Sequence, residues 1–284
     1  MTSKTEVKIY ASTEGMNSVC QSALRSLLLA CADTKLLLGY HYGEWTFGPP
    51  EIEAAIACCS LCQTELGHVR LLHGILNKHY SDDADELVES RKPGDFANIS
   101  FLDQELQDWA ELVSANYIVD LAVTSVLHSL RKSSFKPLHT SLEKMLQEER
   151  YHLHHGQGWF RTLAARSSES SAAVEKSGQR ALRAVVEWFG PLDSAEDQIL
   201  IEEKIKTTPN REILQMILNE LGKLSASLKV DLDLTREADN NYQLRTQPDW
   251  QGWNPQTRRI DTSGPDEQIL YHLRGSKNKV FKLT

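Results

Sequence analysis

The sequence predicts an all-α fold, a bundle of long helices, on three observations. Apolar residues recur at helical spacing through the first two-thirds of the chain, as in Val19, Ala23, Leu27, Ala30 and Leu37. Proline and glycine fall between such stretches, at Gly48-Pro49-Pro50, Pro93-Gly94, Pro137 and Gly190-Pro191. The composition, 40% apolar and 25% charged over 284 residues, is that of an ordinary globular domain rather than a disordered, collagenous or coiled-coil chain.

A first helix is expected from Met16 to about Tyr42, ended by the break at 43–50. Pro50 suits the first turn of a second helix, which runs to about Lys78. The acidic stretch SDDADELVESRKPGDF reads as a solvated loop. A third helix is expected from about Asp103 to Lys132. A fourth has Pro137 in its first turn and continues to about Arg166. SSESS, at 167–171, reads as a polar linker. Two further helices follow, at about 172–189 and 209–228. Residues 1–230 form the expected bundle domain. Residues 231–284 form an irregular tail, rich in Pro, Gly, Trp and Asn, packed on the bundle or on a partner, with room for a short helix over Pro265 to Arg274. Connections of short, long and short length between four helices describe a ferritin-like bundle with a long crossover.

Several classes are set aside. The net charge of −8 argues against a nucleic-acid partner. No apolar run approaches the roughly 20 residues of a membrane span; the best, Leu27 to Ala32, stops at Asp33 and Lys35. MTSKTEVKIY lacks the apolar core of a signal peptide, so a cytoplasmic protein is expected. The five cysteines, Cys20, Cys31, Cys58, Cys59 and Cys62, are odd in number and read as reduced core residues.

The informative motif is ExxH, present twice: Glu65-Leu66-Gly67-His68 on the second helix and Glu149-Arg150-Tyr151-His152 on the fourth. Residues three apart share a helix face, so each Glu and His can grip one ion. Carboxylate oxygen with imidazole nitrogen suits iron, manganese or zinc. A ferritin-like two-metal site adds one carboxylate from each of the other two helices. Asp120 stands mid-way along the third, where an unpaired acid among apolar neighbours is costly. A buried salt-bridge network without metal is the alternative. On the first helix, Asp33 and Glu44 are the nearest acids. Among neighbours, His154 and His155 point to other faces and read as surface or packing residues. His128 lies two turns beyond Asp120. Tyr42 shares the face of Lys35, with core packing the plainer reading. Gly67 costs helix stability, which a close helix approach or room for a substrate would explain. Trp188, Trp250 and Trp253 read as packing or interface residues.

These residues resemble the phenylacetyl-CoA 1,2-epoxidase family of multicomponent bacterial monooxygenases. GEWTFGPPEIEAAIACCSLCQTELGHVRLL resembles the family from the end of the first helix through the second-helix ligands. Asp120, 29 residues before Glu149, matches the third-helix aspartate of the catalytic subunit. Phe189-Gly190-Pro191, IKTTPNREILQ and LKVDLDL also resemble that subunit. EERYHLHHGQGWFRTL and Gly43-Glu44-Trp45 are more similar to the non-catalytic partner subunit, which generally lacks the second-helix Glu and His. The resemblance implies metal ligands at Glu65, His68, Asp120, Glu149 and His152, with one or two iron ions. It places the missing first-helix glutamate on Lys35, ten residues before Trp45, and makes Lys35 the candidate catalytic position. It also implies an aromatic acyl-CoA substrate, a homologous bundle subunit, a reductase as electron donor, and an oligomer.

Charge then limits the metal count. Four carboxylates balance two divalent ions. Three carboxylates and an ammonium carry −2 and balance one, and opposed unit charges at 4 Å are worth about 4 kcal/mol even at an effective dielectric of 20. The sequence therefore leaves three readings: an oxygenase subunit with Lys35 replacing one ligand, a non-catalytic scaffold subunit, and a one-metal or metal-free protein with diverged chemistry. At most one ion is expected, on Asp120, Glu149 and His152, with or without Glu65, and with the Lys35 ammonium beside Glu65 or Glu149.

Overall fold

In the computed structural model, which describes residues 8–281, the chain is helical from Ser18 onward, with one small hairpin near its end. The reading of residues 1–7 lies outside the described residues. Helix α1 (Ser18–Glu44) starts where the Asn17 side chain accepts the Val19 amide at 2.8 Å. Every residue of its stretch 30–42 is buried, so α1 is the central helix rather than a surface one. Polar groups on it therefore need partners inside the protein. Asp33 finds one in Arg91, whose Nη1 donates to it at 2.9 Å, and another in the Ala97 amide at 2.9 Å. Asp33 thus anchors the crossover to α1 and lies away from the ExxH residues.

Helix α2 (Ile52–Tyr80) closes on Ser81 in the left-handed region, φ 62°. The crossover that follows is less irregular than its acidity suggests. It contains a helical turn at Glu86–Glu89 and short 3-10 turns, and Asp82 pairs with Arg25. Helix α3 (Trp109–Ser129) begins later than the sequence suggests. The Asp108 side chain caps it by accepting the Glu111 amide at 2.9 Å. Asp103, where the sequence places the start, is held instead by Asn98 and Arg259. Helix α3 is long and apolar enough to cross a membrane by length and composition, which corrects the sequence reading. Yet 94% of its apolar window is buried inside the bundle. Apolar surface on all sides is what a core helix needs.

A π-helical segment, Ala115–Val119, interrupts α3 one residue before Asp120. Opposite it, on α4 (Leu138–Arg166), stands Gly156. A Cβ there would lie 2.9 Å from the backbone carbon of Asn116, so only glycine lets α4 approach this closely. Gly67, where the sequence suggests such an approach, has nothing near the position of a Cβ. Residues 168–171 belong to helix α5 (Ser168–Phe189), not to a linker, because the Ser167 side chain caps the Ser170 amide. Helix α6 (Ala195–Glu202) is too short for a clear apolar period and escapes the sequence reading. Helix α7 (Asn210–Leu228) follows Pro209. The tail forms an antiparallel pair, β1 (Leu234–Arg236) with β2 (Tyr242–Leu244), and helix α8 (Glu267–Leu273). It packs on the bundle. Trp253 Nε1 donates to the Glu187 carbonyl at 2.9 Å, and the Arg258 guanidinium lies 4.7 Å from the Trp188 ring. Gly190, at φ 73°, ends α5 directly beneath Trp253.

His41 gives this fold a pH dependence of its own. Burial pushes its imidazole from 6.5 down to about 4, and Nε2 donates to the Leu102 carbonyl at 3.0 Å. The folded chain binds this proton less readily than the unfolded chain. The stability His41 provides is thus intact above pH 6.5 and is lost as pH falls towards 4, roughly 3 kcal/mol in all. Urea titrations at pH 7.5 and 4.5 check this. The wild type is expected to lose that increment and His41→Gln to lack it; equal losses in both would contradict the assignment.

Candidate metal centre

Four helices bring their middles to one level. Helix α1 contributes Lys35, α2 Glu65 and His68, α3 Asp120 and Thr124, and α4 Glu149 and His152, all buried. All five ExxH and third-helix residues singled out by the sequence are therefore brought together. The two imidazole rings stack with centroids 6.0 Å apart.

Lys35 lies among them. Its Nζ donates to Glu149 Oε1 at 2.6 Å, Glu65 Oε2 at 2.9 Å and Asp120 Oδ1 at 3.1 Å. The sequence anticipates one of the glutamates as partner; the fold supplies both, and Asp120 as well. Each contact near 3 Å is worth about 5 kcal/mol of gross attraction at an effective dielectric of 20. Taking the ammonium out of water costs several kcal/mol. Three contacts outweigh that cost. Burial alone would lower the Lys35 pKa, but Asp120, Glu149 and Glu65 hold it well above its usual value. Lys35 is thus an ammonium, not a neutral amine ligand.

The histidines complete the balance. His152 Nδ1 donates to Glu65 Oε1 at 3.1 Å and lies 3.4 Å from Asp120 Oδ2. His68 Nε2 donates to Glu148 Oε2 at 2.9 Å, while its Nδ1 lies 3.0 Å from Glu149 Oε1, out of line for a hydrogen bond. Burial opposes a second proton on either ring. The carboxylates more than reverse this, raising His68 to about 9 and His152 to about 10. Burial would raise Glu65, but Lys35, His152 and His68 bring it down to about 2. Asp120 is raised by burial and by Glu149 to about 6, and remains ionised at neutral pH. Three carboxylates thus face three cations.

The donor set tests the two-iron expectation. Glu65, Asp120, Glu149 and His152 each offer a ligand atom within 4.8 Å of the others, close enough to surround one ion. A pair of ions needs a carboxylate from α1, and α1 instead sends an ammonium onto the inner oxygens of all three acids. The residues present do not fit a two-iron centre. His68 stands outside the tightest group and is held from its outer edge by Glu148.

Sequence reasoning misses three supporting residues. Thr124 Oγ1 donates to Glu149 Oε2 at 2.8 Å; its position four residues after Asp120 is the available signal. Glu148 is masked by its neighbour Glu149. Asn116 bridges the Tyr42 hydroxyl, at 3.0 Å, and His155, at 2.8 Å, through the π segment, which no periodicity announces. Tyr42 accordingly lies beside the site, where its hydroxyl accepts from Asn116 and, among the described residues, bonds to none of the ionic groups, and His128 is exposed rather than placed behind Asp120. The cysteines are free, and none belongs to the metal-capable group.

The model of one family, described as phenylacetic acid catabolic protein, matches residues 2–247. Among curated proteins, the chain is similar to one of the subunits of the 1,2-phenylacetyl-CoA epoxidase of Escherichia coli (strain K12). Identity is 27% over 188 residues, covering 66% of this chain and 75% of that one.

Proposed function

The chain belongs to the family of phenylacetic acid catabolic proteins, and on that premise we propose that it is the non-catalytic bundle subunit of a multicomponent oxygenase acting on an aromatic acyl-CoA. The reading rests on one observation: the Lys35 ammonium reaches all three carboxylates of the centre. A two-iron pair supplies dioxygen activation in such complexes, with electrons from a reductase. In this proposal the iron belongs to a homologous partner bundle. Here the same four helix positions are fastened by an internal ion network, which keeps the helices in register at the level where the partner binds metal. The similarity to a protein named as a subunit of 1,2-phenylacetyl-CoA epoxidase supports the assignment.

A second reading is a one-ion site on Glu65, Asp120, Glu149 and His152, favoured by their mutual closeness. It requires Lys35 to swing aside and His152 to lose a proton. Metal analysis of protein purified without added metal, joined to its mass in solution alone and with an iron-loaded catalytic bundle of the family, separates the readings. Substoichiometric iron with a stable mixed complex is the expected result. One firmly held ion per chain supports the second reading. Two irons and turnover without a partner would overturn both.

A further inference from the structure

Beside the ion network, residues of α2 and α4 line a groove of about 300 Å³. Its two walls follow helical phase. Ala57, Leu61 and Thr64 line one side, and Glu148, Tyr151 and His155 the other. Apolar surface comes from Ala57, Leu61 and the ring of Tyr151, a tyrosine 78% exposed to solvent.

Two polar groups on these walls are fixed as acceptors, beside the Ser60 and Tyr151 hydroxyls and the His152 ring. Asn116 fixes the first of them. Its Nδ2 faces the His152 carbonyl at 3.3 Å and the Tyr42 hydroxyl at 3.0 Å. A carbonyl only accepts, so the amide orientation is set and Oδ1 faces His155 Nδ1 at 2.8 Å. His155 must therefore donate from Nδ1, and in the neutral ring Nε2 carries a lone pair. That nitrogen is buried and has no partner among the described residues. The Thr64 hydroxyl spends its proton on the Ser60 carbonyl at 2.8 Å, which leaves its oxygen accepting. Glu148 adds a carboxylate.

We propose that this groove is a binding site for a small uncharged ring compound carrying an O–H or N–H donor, with the donor directed to His155 Nε2. The ring would lie against Tyr151 and over Ala57 and Leu61. An anion lacks the donor that His155 Nε2 requires and meets the Glu148 carboxylate. The proposal does not rest on the proposed subunit role, and His152 is the residue the groove shares with the centre beside it.

Titration calorimetry of the full chain with phenol tests it, with anisole and benzoate as comparisons. Phenol is expected to bind saturably at one site, about tenfold more tightly than anisole, the worth of one hydrogen bond to an otherwise unpaired buried acceptor. Benzoate should bind more weakly than phenol. His155→Phe should abolish the advantage of phenol over anisole. Ala57→Phe, which fills the floor without touching Asn116, should abolish both while leaving the thermal unfolding transition in place. Equal affinity for phenol and anisole in the wild type, an undiminished phenol preference in His155→Phe, or no saturable binding at all would each overturn the proposal.

Discussion

Lys35→Met should lower the stability of the folded chain by about 3–5 kcal/mol, the cost of leaving buried charges without their partner. Methionine nearly matches the volume of lysine, so little of the loss would come from packing. The cost arises because Glu65, Asp120 and Glu149 are fully buried and share this one ammonium. Two imidazolium groups would then face three carboxylates, and one acid would have to take up a proton or draw in water. Urea unfolding of wild type and variant at neutral pH measures the difference. Adding Glu149→Gln to Lys35→Met should recover part of the loss, since the two sites are directly coupled. A single variant within about 1 kcal/mol of wild type, the range of exposed ion pairs, would show that the ammonium does not hold the centre together.

The second large effect concerns metal. Lys35→Glu should convert the centre from one that holds at most one divalent ion to one that holds two. The substitution removes a positive charge and adds a negative one at the point where the other acids converge. Four carboxylates then balance two divalent ions, with the imidazoles free to ligate once their protons leave. Without metal the variant should be less stable than wild type, because a fourth buried acid has replaced the ammonium that the three acids share. With ferrous ion at about 100 times its dissociation constant, binding should return roughly 2.7 kcal/mol per site. Metal stoichiometry and metal-dependent melting temperature together check this. Unchanged stoichiometry in Lys35→Glu, or two tightly bound ions in the wild type, would sink the charge argument.

The residues of the centre were legible because helix geometry is local. Glu65 with His68, and Glu149 with His152, share faces by spacing alone, and Asp120 stands out as an acid in an apolar run. The four long helices were legible for the same reason, since a continuous apolar stripe with proline at its ends needs no knowledge of neighbours. The signals failed where partners come from elsewhere in the chain. Asp103 looks like the opening of α3 but is drawn away by Arg259, more than 150 residues later. SSESS looks like a linker, yet Ser167 uses its hydroxyl to start a helix. The tail looks irregular because its order depends on Trp253 and Arg258 docking against the end of α5.

Lys35 shows where the division falls. The sequence by itself determined that a lysine stands where the resembling family has its first-helix glutamate, and charge counting set the expectation of at most one ion. Only the tertiary structure decided that the ammonium touches all three acids and that His68 and His152 are held in their charged forms. A formal charge is a property of a residue, whereas the proton on a buried imidazole and the partners of a buried ammonium depend on distances between helices far apart in the chain.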